Sequence, residues 1–258
     1  MNKKVVCFGL IIVVLSVMVA ADSFDDEVAA CTGKLLPFFG KSDLKEILNE
    51  ITSIENKLKE NNLEKSEEMI AQVKLGILYH NVALNDGAKR GYKKYAQKSF
   101  ETMKLINGND GLSNVIKVYT LTFMGSSRAM MGDEDLNPIN KINYVKEGIA
   151  YLDDAVKRFD RHTWVPRFYR ANVCFSLPDF FEKSAAAKDD YDKLINKKRN
   201  NDNAIPDEIM AIVYLNRGKL YKKDTDIEKA IEMWKKALET AEDEDVKNEA
   251  EELLDIFS

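Results

Sequence analysis

The chain is poor in the residues that break helices. Its 258 residues include only 5 prolines and 12 glycines. No run of alternating polar and apolar residues is present, and no Asn-Gly or Asp-Gly hairpin dipeptide separates β-branched segments. Both absences argue against strands. Histidine is scarcer still, with 2 in the chain. Neither His80 nor His162 has a second histidine or a cysteine at metal-ligand spacing, so each reads as a surface or internally satisfied histidine. There is no nucleophile elbow, no phosphate-cradling glycine loop and no calcium-loop pattern. Acid runs such as Glu242-Asp243-Glu244-Asp245 read as a solvated helix junction. Catalysis, a cofactor and a metal are therefore not expected. Basic excess is also missing. The formal charge is −5, which argues against non-specific nucleic-acid binding.

What remains is helix-forming material. Lys, Glu, Leu, Ile and Ala dominate, and nearly every segment carries a 3.6-residue apolar period. Leu44, Ile47, Leu48, Ile51, Ile54 and Leu58 form one stripe, with Ser42 as its candidate N-cap. Met69, Val73, Leu75, Gly76 and Tyr79 form the next. Tyr92, Tyr95, Ala96, Ser99, Phe100 and Met103 point inward from a helix over 91–106. Further helices are expected over about 112–131, 142–159, 164–176, 179–198, 207–223, 226–241 and 244–257, with a loop over 132–140. Pro166, Pro178 and Pro206 fall where helices should start, a position that loses no intrahelical donor. Thr225-Asp226-Ile227-Glu228 has the spacing of a capping box.

The first twenty-one residues stand apart. Lys3 and Lys4 precede an apolar run from Val5 to Val19, and Val19-Ala20-Ala21 offers small residues for cleavage after Ala21. The run is shorter than the roughly 20 apolar residues that span a bilayer. A cleaved signal peptide and export to the periplasm or beyond are expected; an uncleaved anchor is the alternative, and the only membrane contact foreseen. Cys31 and Cys174 sit in apolar contexts, and an exported chain could either bridge them or bury both thiols.

The segment Ala211–Ala241 carries the strongest pattern. Tyr214, Gly218 and Tyr221 lie on one helix and Ala230, Trp234 and Ala237 on the next. This spacing resembles the tetratricopeptide repeat (TPR), in which a small residue of the second helix lets the helices approach and a large one four residues later fills the groove. The second-helix offsets recur as Ala187, Tyr191 and Leu194, as Gly148, Leu152 and Ala155, and as Ala96, Phe100 and Met103. The first-helix offsets recur as Gly76 with Tyr79 and more loosely as Gly125 with Ala129. The intervals exceed the roughly 34 residues of that repeat; Arg217 and Glu242 depart from its usual leucine and proline. The stretch from Gly125-Ser-Ser-Arg128 through Asn137-Pro138, Tyr144 and Arg167-Phe-Tyr-Arg170 to Leu177-Pro178 is similar to a pattern in exported bacterial TPR-like proteins.

The resemblance implies an all-α fold of antiparallel helix pairs stacked as a superhelix. About four divergent repeats over 63–258 would follow N-terminal helices over 22–62 and the signal peptide over 1–21. It also implies a scaffold that binds a partner protein or an extended peptide. The alternative is a periplasmic small-molecule carrier, similar in compartment and helical build to the TPR components that accompany TRAP-type transporters. For a site, Arg128, Asn137, Lys141, Tyr144, Arg167 and Arg170 suggest an anion or polar-ligand pocket, because guanidinium groups match carboxylate or phosphate. The competing account of Arg128 is a structural ion pair with Glu147 or Asp154. Asn216, Lys219, Lys222 and Lys223 lack the arrangement of a carboxylate clamp and read as a solvated basic face.

Overall fold

A computed structural model describes residues 24–39, 43–60, 62–85, 93–132, 135–201 and 204–257. The expected signal segment, Cys7, Ser42 and Tyr92 lie outside them. Helix and turn account for the described chain, with no strand among these residues. The helices are α1 (residues 24–35), α2 (Leu44–Lys59), α3 (Lys65–Asn85), α4 (Lys93–Asn107), α5 (Asn114–Met130), α6 (Pro138–Phe159), α7 (Val165–Ser176), α8 (Ser184–Asn200), α9 (Asp207–Lys223), α10 (Ile227–Thr240) and α11 (Glu244–Phe257). Each packs on its sequence neighbour from α2 onward. Alternate helices also touch, α3 with α5, α5 with α7 and α9 with α11. Among the described residues no helix is long and apolar enough to cross a membrane.

The pairs close on the small residues singled out above. A Cβ placed on Gly218 would lie 2.4 Å from Nε1 of Trp234, so only glycine lets α9 meet the indole of α10. Gly125 and Gly148 do the same for α5 and α6: a Cβ on either would come within 2.8 Å of the other's carbonyl oxygen. On α10, Ala230, Met233, Trp234 and Ala237 are all buried. Their spacing puts them on one face, the face α9 covers. Leu152 and Ala155 of α6, and Ala187, Tyr191 and Leu194 of α8, are buried in the same way. Tyr214 and Tyr221 pack half-buried around the Trp234 cluster.

Helix α5 is the hub. Every residue from Val115 to Ser127 is buried except Lys117, as befits a helix packed against α3, α4, α6 and α7. Helix α1 belongs to the same core, through Val28, Cys31 and Leu35. Its Thr32 hydroxyl lies 2.7 Å from the hydroxyl of Tyr119 on α5. Cys31 and Cys174 are both buried free thiols; burial raises the Cys174 thiol to about 11.

Several expected boundaries move, each for a local reason. Asp43, not Ser42, caps α2, accepting from the Glu46 amide at 2.7 Å. Helix α6 begins inside the expected loop, because the Asn137 side chain caps it through the Ile139 amide at 2.9 Å and Pro138 occupies its first position. Pro178 opens only a 3-10 turn, Asp179–Phe181; the chain then reverses at Glu182 with φ 55° before α8 starts. Thr225 does not form a capping box. It has φ 65° and ends α9, its amide donating to Lys222 and the next amide, of Asp226, to Tyr221. That is a Schellman closure, in which the helix end takes precedence over the following cap. Asp226 caps α10 instead.

Candidate functional site

The six residues expected to form a polar site divide into two clusters with no shared partner, plus two residues at the start of α6. Arg128 on α5 reaches across to α6, where Nε and Nη2 each lie 2.7 Å from Oε2 of Glu147. Its guanidinium stacks between the rings of Tyr144, at 4.3 Å, and Phe100, at 4.8 Å. Asn137 is used as the α6 cap, and Lys141 lies half-exposed one turn further along.

Arg167 and Arg170 lie on the face of α7 that meets α8. Both hold Asp190, which is completely buried. Arg170 binds both oxygens of that carboxylate at 2.7 and 2.8 Å and also Asp153 of α6 at 2.8 Å. Arg167 closes bidentately on Asp160 at the end of α6, with both bonds at 2.5 Å, and donates a further bond to Asp190. Burial alone would raise the Asp160 carboxyl, but the bonds and charge of Arg167 hold it below its ordinary value. Burial likewise works against the Arg170 cation, and Asp190 and Asp153 more than offset it. All three arginines are thus matched by acids already present. Arg217 of the last unit follows suit, paired with Asp192 and stacked on Tyr221 at 3.7 Å.

The opposite face of α7 is of another kind. Phe168, Tyr169, Asn172, Val173 and Ser176 recur at the spacing of one helical stripe and line a cavity of about 400 Å³. Helix α3 supplies His80, Ala83 and Leu84; α5 supplies Ser126, Ala129 and Met130; α9 supplies Ile209 and Ile212. Three of the four helices thus present a polar residue followed at i+3 and i+4 by others facing the same space: His80, Ser126 and Tyr169. Among the described residues, no lysine, arginine, aspartate or glutamate lines the cavity, in a chain of which 31% is charged.

The polar groups are tightly arranged. His80 is fully buried, and burial lowers its titration to about 4, so the ring is neutral at physiological pH. Its Nε2 lies 2.7 Å from Oγ of Ser126 and its Nδ1 3.5 Å from Oδ1 of Asn81. The Asn81 amide is oriented by its own bond to the Phe38 carbonyl at 2.5 Å. Asn172 ties three helices together. Its Oδ1 accepts from Tyr191 of α8 at 2.8 Å and from Asn216 of α9 at 3.0 Å, and its Nδ2 donates to the Phe168 carbonyl at 3.0 Å. Tyr169 packs against Phe123 at 4.6 Å and edge-on to His80 at 5.5 Å between ring centroids. Its hydroxyl has no hydrogen-bond partner among the described residues, and burial raises its pKa well above the ordinary tyrosine value.

The sequence reads His80 as a surface or internally satisfied histidine, and its bond to Ser126 fits the second; it reads Tyr191 as repeat packing and Asn216 as part of a solvated basic face. Tyr169 enters only within the Arg167–Arg170 pattern, with no role of its own, and Asn172 goes unnoticed. The available signal was the uncharged stripe interleaved with Arg167 and Arg170. Among the described residues, no group of His, Cys, Asp and Glu could hold a metal ion.

Fold and cavity together define a class: an all-α protein of consecutive helix pairs with an uncharged interhelical pocket. No family model, curated protein or solved structure matches the chain.

Proposed function

We propose that the chain is an exported binding protein built as a TPR-like stack, whose face formed by α3, α5, α7 and α9 holds an extended segment of a partner polypeptide. The observation that carries this reading is the uncharged cavity of about 400 Å³ shared by these four helices. In a stack of helix pairs, one helix of each pair faces the inner side, where partners lie. A pocket with an apolar wall and a few fixed polar groups is the usual form of a binding site. The charged residues first suspected serve to join helices, and in this reading they shape the scaffold without touching the partner. No catalytic step, cofactor or metal is assigned.

A second reading, a small-molecule carrier, draws on the same volume, which falls within the roughly 300–1,000 Å³ of small-ligand sites. The two are separated by placing a photo-crosslinking residue at Leu84, which lines the cavity and is 55% exposed, and at Leu105 of α4, which is 72% exposed elsewhere. In host envelope extract, a discrete protein adduct at position 84 and none at 105 is expected. Equal adducts at both positions contradict a specific face. No adduct at 84, with a co-purified small molecule seen by native mass spectrometry, replaces the scaffold reading with the carrier.

A further inference from the structure

We infer that the pocket between α3, α5, α7 and α9 is a subsite for a neutral phenol, the side chain of a tyrosine on the bound segment, with Ser126 and Tyr169 as its hydrogen-bond partners. The inference rests on the reading that this face binds a polypeptide. Three observations carry it.

The first is charge. Among the described residues the lining has no ionic side chain, and His80 stays neutral. A charged group entering would lose several kcal/mol of hydration with nothing to replace it, so anions and cations are both disfavoured.

The second is the direction of the hydrogen bonds. The Phe38 carbonyl can only accept, so the Asn81 amide turns its nitrogen there and its oxygen toward Nδ1 of His80. Nδ1 therefore carries the ring proton, and Nε2 is an acceptor. The bond at 2.7 Å is then donated by Ser126 to His80. This leaves Ser126 Oγ with accepting capacity only. The Tyr169 hydroxyl, in contrast, has no partner among the described residues, although the residue is 6% exposed. The hydroxyl oxygen is not fully enclosed, so it opens on the cavity and a ligand can reach it. Ser126 and Tyr169 thus offer the pocket an acceptor beside an unpaired donor. A single hydroxyl satisfies both, giving its proton to Ser126 and accepting from Tyr169. The Asn172 oxygen already accepts two bonds, while its nitrogen donates one and keeps a second N–H, a further donor on the cavity wall.

The third is shape and surface. Phe168, Tyr169 and His80 present rings to the cavity, and aromatic rings favour edge-to-face contact with another ring. Apolar side chains of α5 and α9 complete the wall.

Binding of p-cresol, the tyrosine side-chain analogue, is measured by NMR titration of the purified protein beside toluene, which lacks the hydroxyl, and p-toluate, which is charged. We expect p-cresol to bind at least about tenfold more tightly than either and to shift signals of Ser126 and Tyr169. Tyr169→Phe should bring p-cresol affinity down toward that of toluene, leave toluene unchanged, and keep or raise the melting temperature. N-acetyltyrosinamide binding as well as p-cresol assigns the site to a polypeptide side chain. Its exclusion while p-cresol binds overturns that source and assigns the phenol chemistry to a free ligand. Toluene or p-toluate binding as tightly as p-cresol, or none of the three binding to folded protein, overturns the inference. A specific adduct at position 84 alongside such a failure leaves the groove reading standing and removes only the phenol subsite.

Discussion

Helix α7 has two polar faces that behave differently. One carries Arg167 and Arg170, locked onto Asp190, Asp160 and Asp153 of the neighbouring helices. The other carries Tyr169 and Asn172 toward a cavity whose described wall holds no charged side chain. The charged face looks more functional in a sequence, because arginines attract attention as anion ligands. Yet its groups have found their partners inside the protein. The quieter face sets an unpaired hydroxyl beside a cavity. Polarity alone therefore does not leave a group open to a ligand; unspent hydrogen-bonding capacity beside space does.

The largest expected effect would break the charged face. Asp190→Ala leaves Arg167 and Arg170 without their buried acid, and removing one partner of such a network costs about 3–5 kcal/mol. Urea unfolding should report a loss of that size. A loss under about 1 kcal/mol would mean the cluster is not a structural joint. Arg167→Ala should likewise destabilise the fold, by taking one of two guanidinium partners from Asp190 and the bidentate partner from Asp160.

The uncharged face has its own signature in pH. Free histidine titrates near 6.5, whereas buried His80 resists protonation until about 4. The unfolded chain therefore takes up the proton first. The stabilising contribution of the neutral ring is complete above about pH 6.5 and is lost as pH falls toward 4, by about 3 kcal/mol in all. Unfolding free energies across that window should fall less steeply in His80→Gln than in the wild type. Identical slopes would show that His80 protonates freely and that the pocket is wetter than its burial implies.

The smallest effect belongs to Arg128. Its partner Glu147 has a 52% exposed side chain, so water screens the pair, and such pairs contribute about 0.2–1 kcal/mol. Stacking on Tyr144 and Phe100 adds a similar amount. Arg128→Ala should cost about 1 kcal/mol in urea unfolding. A loss as large as that of Asp190→Ala would erase the distinction between an exposed joint and a buried one.

The helices were legible in the sequence because their apolar periods are strong, and so was the closure of α9 on α10, where Gly218 and Trp234 answer each other at short range. The start of α6 was not, since Asn137 and Pro138 read equally well as loop and as cap plus first turn. Thr225 misled for a similar reason: a capping-box spacing coincided with the end of the preceding helix. Among the site residues, the pairing of Arg128 with Glu147 was foreseen as one of two alternatives. That of Arg167 and Arg170 with Asp190 was not, because no periodicity reveals which buried acid a cation will meet on another helix. The pocket was hidden altogether. It is assembled from four helices far apart in sequence, and its distinguishing property, absence of charge, emerges only once they are adjacent.

The central claim is that binding uses the uncharged face and not the arginines. It is tested most directly by measuring the crosslinked adduct at position 84 in Ile212→Glu and Arg128→Ala backgrounds, with circular dichroism verifying the fold. Ile212→Glu, which sets a charge in the cavity wall, should abolish the adduct, and Arg128→Ala should retain it. An adduct that survives Ile212→Glu and disappears with Arg128→Ala would contradict the account.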